Sequence, residues 1–144
     1  MQPEKFNEQL DEAQIVAAIA KAERKTSGEI RVYVSHRKRE DVLAAAQRRF
    51  RKLGMTKTRR RNAVLIYFAP LTRKFAIWGD LGVHEKCGQD LWNNVAGEIG
   101  RLLKQGHFTD AVVTAVKQVG EALAKHFPPA ADDRNELSNE IAKD

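Results

Sequence analysis

A continuous apolar run from Ala63 to Phe68, bounded by Arg59-Arg60-Arg61 before it and Pro70 after it, constrains this chain more than any other stretch. The run is short and rich in β-branched and aromatic residues, the pattern of a strand covered on both faces, since neither face needs polar side chains. Phe75 to Trp78 is a second, shorter run of the same kind. Between them stands Ala-Pro-Leu-Thr-Arg-Lys, with proline for a turn and polar side chains for solvent, so the two runs read as a hairpin. The hairpin empties into Gly79-Asp80-Leu81-Gly82, where glycines flank a single carboxylate at a strand end.

A doubly covered sheet needs helices, and the flanking patterns supply them. From Asp11 to Thr26, Ile15, Val16, Ile19, Ala20 and Ala22 fall at helical spacing, Asp11 with Gln14 resembles a capping box, and Gly28 closes the segment. Glu29 to Ser35 alternates, with Ile30, Val32 and Val34 on one face and Arg31, Tyr33 and Ser35 on the other, as a strand nearer the sheet edge does. Glu40 to Leu53 carries Val42, Ala46, Phe50 and Leu53 on one stripe, with Gly54 at its C-terminal end. A strand, a crossover helix and a further strand make a right-handed parallel unit. The hairpin partner, Lys74 to Gly79, then runs antiparallel to the second strand. Helical spacing returns at Gln89–Lys104, stopped by Gly106, and again from Thr109 or Asp110 to Phe127, stopped by Pro128-Pro129. The expected class is α/β: a mixed β-sheet with helices on both faces, a three-layer sandwich, in one domain over residues 1–144 with an acidic tail at 130–144. Leu137 and Ile141 are the tail's large apolar side chains, so it is either disordered or a short segment pinned by those two.

A chain of 144 residues buries roughly 70% of its unfolded surface and needs no disulfide or metal to fold. One cysteine, Cys87, cannot form an internal disulfide, which fits a reducing compartment. No apolar run approaches the ~20 residues of a membrane span, and the N-terminus lacks a signal-peptide core. A soluble protein of cytoplasmic location with no transmembrane segment is the expectation. The net charge of +6 is regional: Arg37 to Arg61 holds 11 basic and 2 acidic residues, while the remainder is slightly acidic. Any argument about polyanions therefore concerns that region.

Several local patterns resemble the TPM domain family, which includes thylakoid phosphatase-like proteins of photosystem II repair and many bacterial proteins. They are Ala22-Glu23 followed by Thr26-Ser27-Gly28-Glu29-Ile30, the turn from Leu53-Gly54-Met55 to Thr58, Arg61-Asn62-Ala63-Val64-Leu65-Ile66-Tyr67, and Ile77-Trp78-Gly79-Asp80-Leu81-Gly82. The resemblance covers most of the chain, from about residue 10 to about 127, and the order and spacing of these pieces are more specific than any one of them. The resemblance implies a mixed sheet between helices. It also implies one of the roles proposed for different members, namely acid phosphatase activity, calcium binding, or assembly and repair. The signal sequence and following membrane helix that many members carry are not matched here.

The candidate chemistry has two centres. Asp80, between glycines after a strand, is placed to hold a divalent cation (calcium or magnesium) and, through it, a phosphate; the structural alternative is a bond from its side chain to the turn backbone. Glu29, beside Gly28, is the second metal candidate or else closes the helix–strand turn. The other centre is the basic surface of Arg48, Arg49, Arg51, Lys52, Lys57, Arg59, Arg60 and Arg61, eight positive charges in fourteen residues. Such density neutralises several phosphates and gives salt-dependent affinity. No recognition-helix motif and no interleaved aromatics accompany it, so sequence-specific DNA binding is not expected. His84, Glu85 and Cys87 do not make a zinc site, because no second pair of Cys or His exists. Glu23, on an otherwise apolar helical face, needs a hydrogen-bond partner. Asp132-Asp133-Arg134-Asn135-Glu136 lacks the glycine of an EF-hand loop and reads as a solvated tail. Two functions follow: a divalent-metal-assisted phosphatase with Asp80 catalytic, or a non-catalytic module that contacts a protein or polyanion through the 37–61 surface.

Overall fold

The computed structural model describes residues 10–129 and 140–143. The apolar run forms β2 (Ala63–Ala69), every residue of which is buried. β2 pairs in parallel with β1 (Glu29–Val34), Glu29 opposite Ala63 and Val34 opposite Phe68. On its other side it pairs antiparallel with β3 (Lys74–Gly79), Val64 opposite Gly79 and Ala69 opposite Lys74. A two-residue strand, β4 (Ala142–Lys143), joins the far edge of β1 in parallel, giving the order β3-β2-β1-β4. The hairpin turn is a 3-10 segment at Pro70–Thr72 closed by Arg73 in the left-handed region. The sheet is mixed, as its two oily segments require.

Strand alternation sends Ile30, Val32, Val34, Val64, Ile66 and Phe68 to one face. There they meet α1 (Glu12–Glu23), α4 (Gln89–Lys104) and α5 (Phe108–His126), with α5 packed between the other two. Tyr33, Leu65, Tyr67 and Ala76 point to the opposite face, where α2 (Val42–Lys52) lies across β3 and β2 with Ala45, Ala46 and Phe50 buried. Three layers result, two of them helical.

Local chemistry sets the boundaries. Asp11 caps α1 through its side chain, accepting from the Gln14 N–H at 3.1 Å. The return bond of a capping box is replaced, because the Asp11 N–H donates to the Thr109 hydroxyl at 3.1 Å. α1 stops at Glu23 rather than running on to Thr26. Glu23 turns its carboxylate to the Ile30 N–H at 2.9 Å, and the Thr26 hydroxyl donates to the Phe127 carbonyl, so tertiary bonds end the helix early. Asp41 caps α2, and Gly54 follows its end with φ 72°. Leu81–Cys87, to which the sequence patterns assign no element, is a short helix, α3, capped by Asp80. The tail returns to the sheet as β4, with Ile141 against the larger core as its apolar character suggests. Leu137 and the cluster at Asp132–Glu136 lie outside the described residues.

Candidate functional site at the sheet end

Six buried polar residues gather where β1 and β2 begin and β3 ends: Thr26, Ser27, Glu29, Thr58, Asn62 and Asp80. Small polar side chains are used here because the turns before β1 and β2 press together and their backbone groups need partners. The Gly28 N–H donates to the Thr26 hydroxyl at 3.0 Å, and the Asn62 N–H to the Thr58 hydroxyl at 3.2 Å. The Asn62 side-chain amide donates to the Ser27 hydroxyl at 3.3 Å, joining the two turns. The Asn62 Oδ1 atom is buried without a hydrogen-bond partner.

Glu29 and Asp80 sit at this same end of the sheet, a point the sequence leaves open. Glu29 is the register partner of Ala63 from one side, and the Asp80 N–H donates to the Ala63 carbonyl at 3.0 Å from the other. Both are nearly inaccessible, 2% and 4% exposed.

Asp80 is held by an arginine. Arg61 Nε donates to Oδ2 at 2.6 Å and Nη2 to Oδ1 at 2.7 Å, a bidentate fork. Oδ1 also accepts the Leu81 N–H at 2.8 Å, so the turn bond weighed as the structural alternative is present alongside the ion pair. The hydrogen bonds to Asp80 push the Arg61 guanidinium above its ordinary value, with the carboxylate charge adding to them and desolvation opposing. Arg61 adopts φ 51°, a left-handed conformation that costs a non-glycine residue of order 1 kcal/mol. Its backbone is fixed from both directions: its N–H donates to the Thr58 carbonyl at 3.2 Å, and its carbonyl accepts from Gly82 at 2.9 Å. Glycine is required at 82, since a Cβ there would fall 2.6 Å from the Arg60 carbonyl oxygen and 2.8 Å from that of Arg61.

The basic run divides by orientation. Arg48, Arg51, Lys52, Lys57, Arg59 and Arg60 are exposed, on the outer side of α2 and the turn before β2. Arg49 faces inward, its guanidinium 4.7 Å from the Tyr33 ring centroid, and Tyr33 in turn stacks on Tyr67 at 5.1 Å. Arg61 faces Asp80. The basic surface and the buried carboxylates therefore adjoin, and Arg61 belongs to both.

The oxygens at the sheet end are those of Asp80, engaged by Arg61 and the Leu81 N–H, those of Glu29, and the Asn62 Oδ1; they are hard donors, a type that suits calcium or magnesium and not zinc. Among the described residues no group of three or more His, Cys, Asp or Glu side chains is placed to hold a metal ion. Such a cation would thus rely on amide oxygen and water as well as carboxylate. His84 makes an edge contact with Trp78, with ring centroids 4.9 Å apart. Cys87 is half-buried, and burial pushes its thiol above its ordinary value. Two grooves, of about 490 and 370 Å³, lie between α4 and α5 and between α1 and α5, and neither is lined by Asp80, Glu29 or the basic run.

Sequence reasoning missed Asn62 and the role of Arg61. Asn62 gave a signal in being a small polar residue directly before a fully apolar strand. Arg61 gave none, because a partner nineteen positions away and a left-handed backbone are not written in local pattern.

A mixed sheet between one helix and three, with polar turns clustered at the strand starts, defines a class of α/β domain that comparison with known proteins narrows further. Residues 5–122 match the family model of the TPM domain, and the chain belongs to that family. The NMR structure of BA42 protein from the psychrophilic bacterium Bizionia argentinensis is similar, at 41% identity over 92% of each chain and a TM-score of 0.86. No curated protein matches. No described helix is long and apolar enough to cross a membrane.

Proposed function

We propose that this TPM-domain chain binds a phosphate-bearing polyanion, on a protein or free, through the outer side of α2 and the turn before β2. The observation that carries the reading is the set of six exposed cations at Arg48, Arg51, Lys52, Lys57, Arg59 and Arg60. Glu40 and Asp41, the acids of the region, stand at the other end of α2, and residues 48–61 include no Asp or Glu. A cytoplasmic setting belongs to the same proposal and accords with a single free thiol. The test is retention on immobilised heparin along a salt gradient. The expected result is elution that shifts by several tenths molar when Arg59 and Arg60 are changed to Glu, since each phosphate contact adds ~0.9 to the salt slope. Equal elution of the variant sinks the reading.

A second reading is favoured by the adjoining buried carboxylates. Here Asp80 and Glu29 would hold calcium or magnesium, which would supply Lewis-acid chemistry toward a phosphate ester, and the basic surface would bind and orient the phosphate. Hydrolysis of p-nitrophenyl phosphate that needs the cation and is abolished by Asp80→Asn is the expected result. Hydrolysis that persists in Asp80→Asn removes Asp80 from the chemistry.

A further inference from the structure

We infer that the free edge of β3 is an interface between two copies of this chain, which pair strand to strand across a two-fold axis at Ile77. The two edges of the sheet are treated differently. On the β1 side the chain's own β4 lies against Tyr33 and Val34, and Lys143 is tied to Glu12. On the β3 side no described strand follows. The register identifies the backbone groups left over. The Asp80 N–H donates to the Ala63 carbonyl at 3.0 Å, so in the antiparallel alternation Lys74, Ala76 and Trp78 bond inward to β2. Phe75, Ile77 and Gly79 therefore turn their N–H and C=O groups outward. Strand edges are ordinarily blunted by proline, a bulge or several charges. β3 has no proline and no left-handed residue, and its one charge, Lys74, is already bonded to the Glu40 carbonyl at 2.8 Å.

Apolar surface gathers along the same edge. Leu43, Leu71 and Leu81 are the exposed large apolar side chains among the described residues, at 46%, 45% and 60%. Leu71 stands in the turn that opens β3, and Leu81 follows its end. Leu43 lies in the first turn of α2, whose approach is fastened to that turn by a 2.8 Å bond from the Thr72 hydroxyl to the Arg39 carbonyl. A second copy suits this edge because the strand is its own complement. A two-fold at Ile77 sets Phe75 opposite Gly79 of the second copy, so all three outward residues gain bonded partners and an aromatic ring covers a glycine. On the other face Ala76 comes opposite the second copy's Trp78, small against large. The charged residues of the paired stretch, Lys74 and Asp80, come opposite one another, so unlike rather than like charges meet. The leucines at the opening end of one β3 are carried toward Leu81 of the other copy, which covers apolar surface left bare in the single chain. The axis is perpendicular to the sheet, so both α2 helices lie on one side and the two basic surfaces face the same way.

Sedimentation velocity of the full chain from about 5 to about 500 µM tests this, in about 0.3 M salt to screen repulsion between the two basic surfaces. A reversible monomer–dimer equilibrium is expected, with a dissociation constant of the order of 100 µM for so small an interface. Leu71→Asp combined with Leu81→Asp alters exposed positions alone. It is expected to leave the melting temperature within about 2 °C and to weaken the dimer by about tenfold or more. Ile77→Pro removes an outward N–H that β2 does not use and is expected to be monomeric; should it not fold, the leucine variant carries the comparison. Amide exchange followed by NMR locates the contact. The Phe75 and Ile77 amides are expected to slow about twofold between about 50 and 500 µM as the dimer fills, while those of Ala76 and Trp78 are slow throughout. A chain that stays monomeric to about 500 µM overturns the inference. So does a dimer indifferent to the leucine substitutions, or exchange at Phe75 and Ile77 that does not respond to concentration.

Discussion

The two faces of the sheet are built to different standards. Among the described residues, one carries a cluster of twenty-one buried apolar side chains shared between the strands, α1, α4 and α5, with Val83 of α3. The other carries ten beneath α2 alone, and its centre is a pair of stacked tyrosines with an arginine over one ring. Hydrophobic stabilisation follows buried apolar area, so the three-helix face is where the fold is held. The one-helix face has a thinner cover, and the outer side of that cover is the basic surface.

Neighbouring residues of β2 put that comparison to the largest test. Ile66 points to the three-helix face and Leu65 to the α2 face, and both are fully buried. Ile66→Ala is expected to cost about 4 kcal/mol in urea denaturation, the cavity being walled by helices that cannot close on it. Leu65→Ala is expected to cost about 2.5 kcal/mol, since a lone helix settles into the gap. Equal losses break the comparison.

The next effect concerns how the charged turn is anchored. In Gly82→Ala the new methyl group meets two backbone carbonyl oxygens, of Arg60 and Arg61, neither of which has a side chain's freedom to move aside. A loss of about 2 kcal/mol is expected. Gly97→Ala, on an open face of α4 with nothing within 4 Å of the new carbon, is expected to gain about 0.8 kcal/mol, because alanine costs less chain entropy in a helix. Circular dichroism melts of the pair decide it.

Much of the fold was legible in the sequence for a physical reason: period and composition encode which residues face the core. The run at Ala63–Phe68, the alternation at Glu29–Ser35 and the stripe of Val42, Ala46 and Phe50 each fixed an element within a residue or two. What failed was decided by tertiary bonds. α1 ends at Glu23 because its carboxylate is needed at Ile30, and α3 begins at Asp80, which caps it, where the sequence shows only glycines flanking a carboxylate. Within the candidate site, the burial of Asp80 and Glu29 at one sheet end required the β1–β2 register, which no local pattern carries. The Arg61 fork required two segments to meet.

Smaller again is the cation over the aromatic stack. Arg49→Met keeps the helix and much of the packing but removes the guanidinium from the Tyr33 face. A loss of about 0.7 kcal/mol is expected, against a change within about 0.5 kcal/mol for the exposed Arg48→Met. If both are neutral, Arg49 contributes only its stem, and the α2 face is thinner still than its contacts suggest.

The smallest effect is one of pH, and it belongs to the three-helix face. Cys87, at the end of α3, is partly buried against that core, and burial raises its thiol above the ordinary value. The folded chain therefore holds this proton where the unfolded chain has begun to lose it. Its contribution is fully present below the unfolded thiol value, about 8.5, and declines as pH rises through the folded one, so stability falls with pH across that interval. Wild type and Cys87→Ala isolate the term, because every other group titrates alike in both. The stability difference between them is expected to move against wild type as pH rises above about 8.5. Alkylation of Cys87 by iodoacetamide near pH 8 is expected to run slower than that of a short peptide thiol, since less thiolate is present. A faster rate would mean that the positive N-terminal end of α4, which begins at Gln89, governs the thiol rather than burial. The three-helix face would then carry a reactive group of its own, and the division between a holding face and a charged one would no longer describe the molecule.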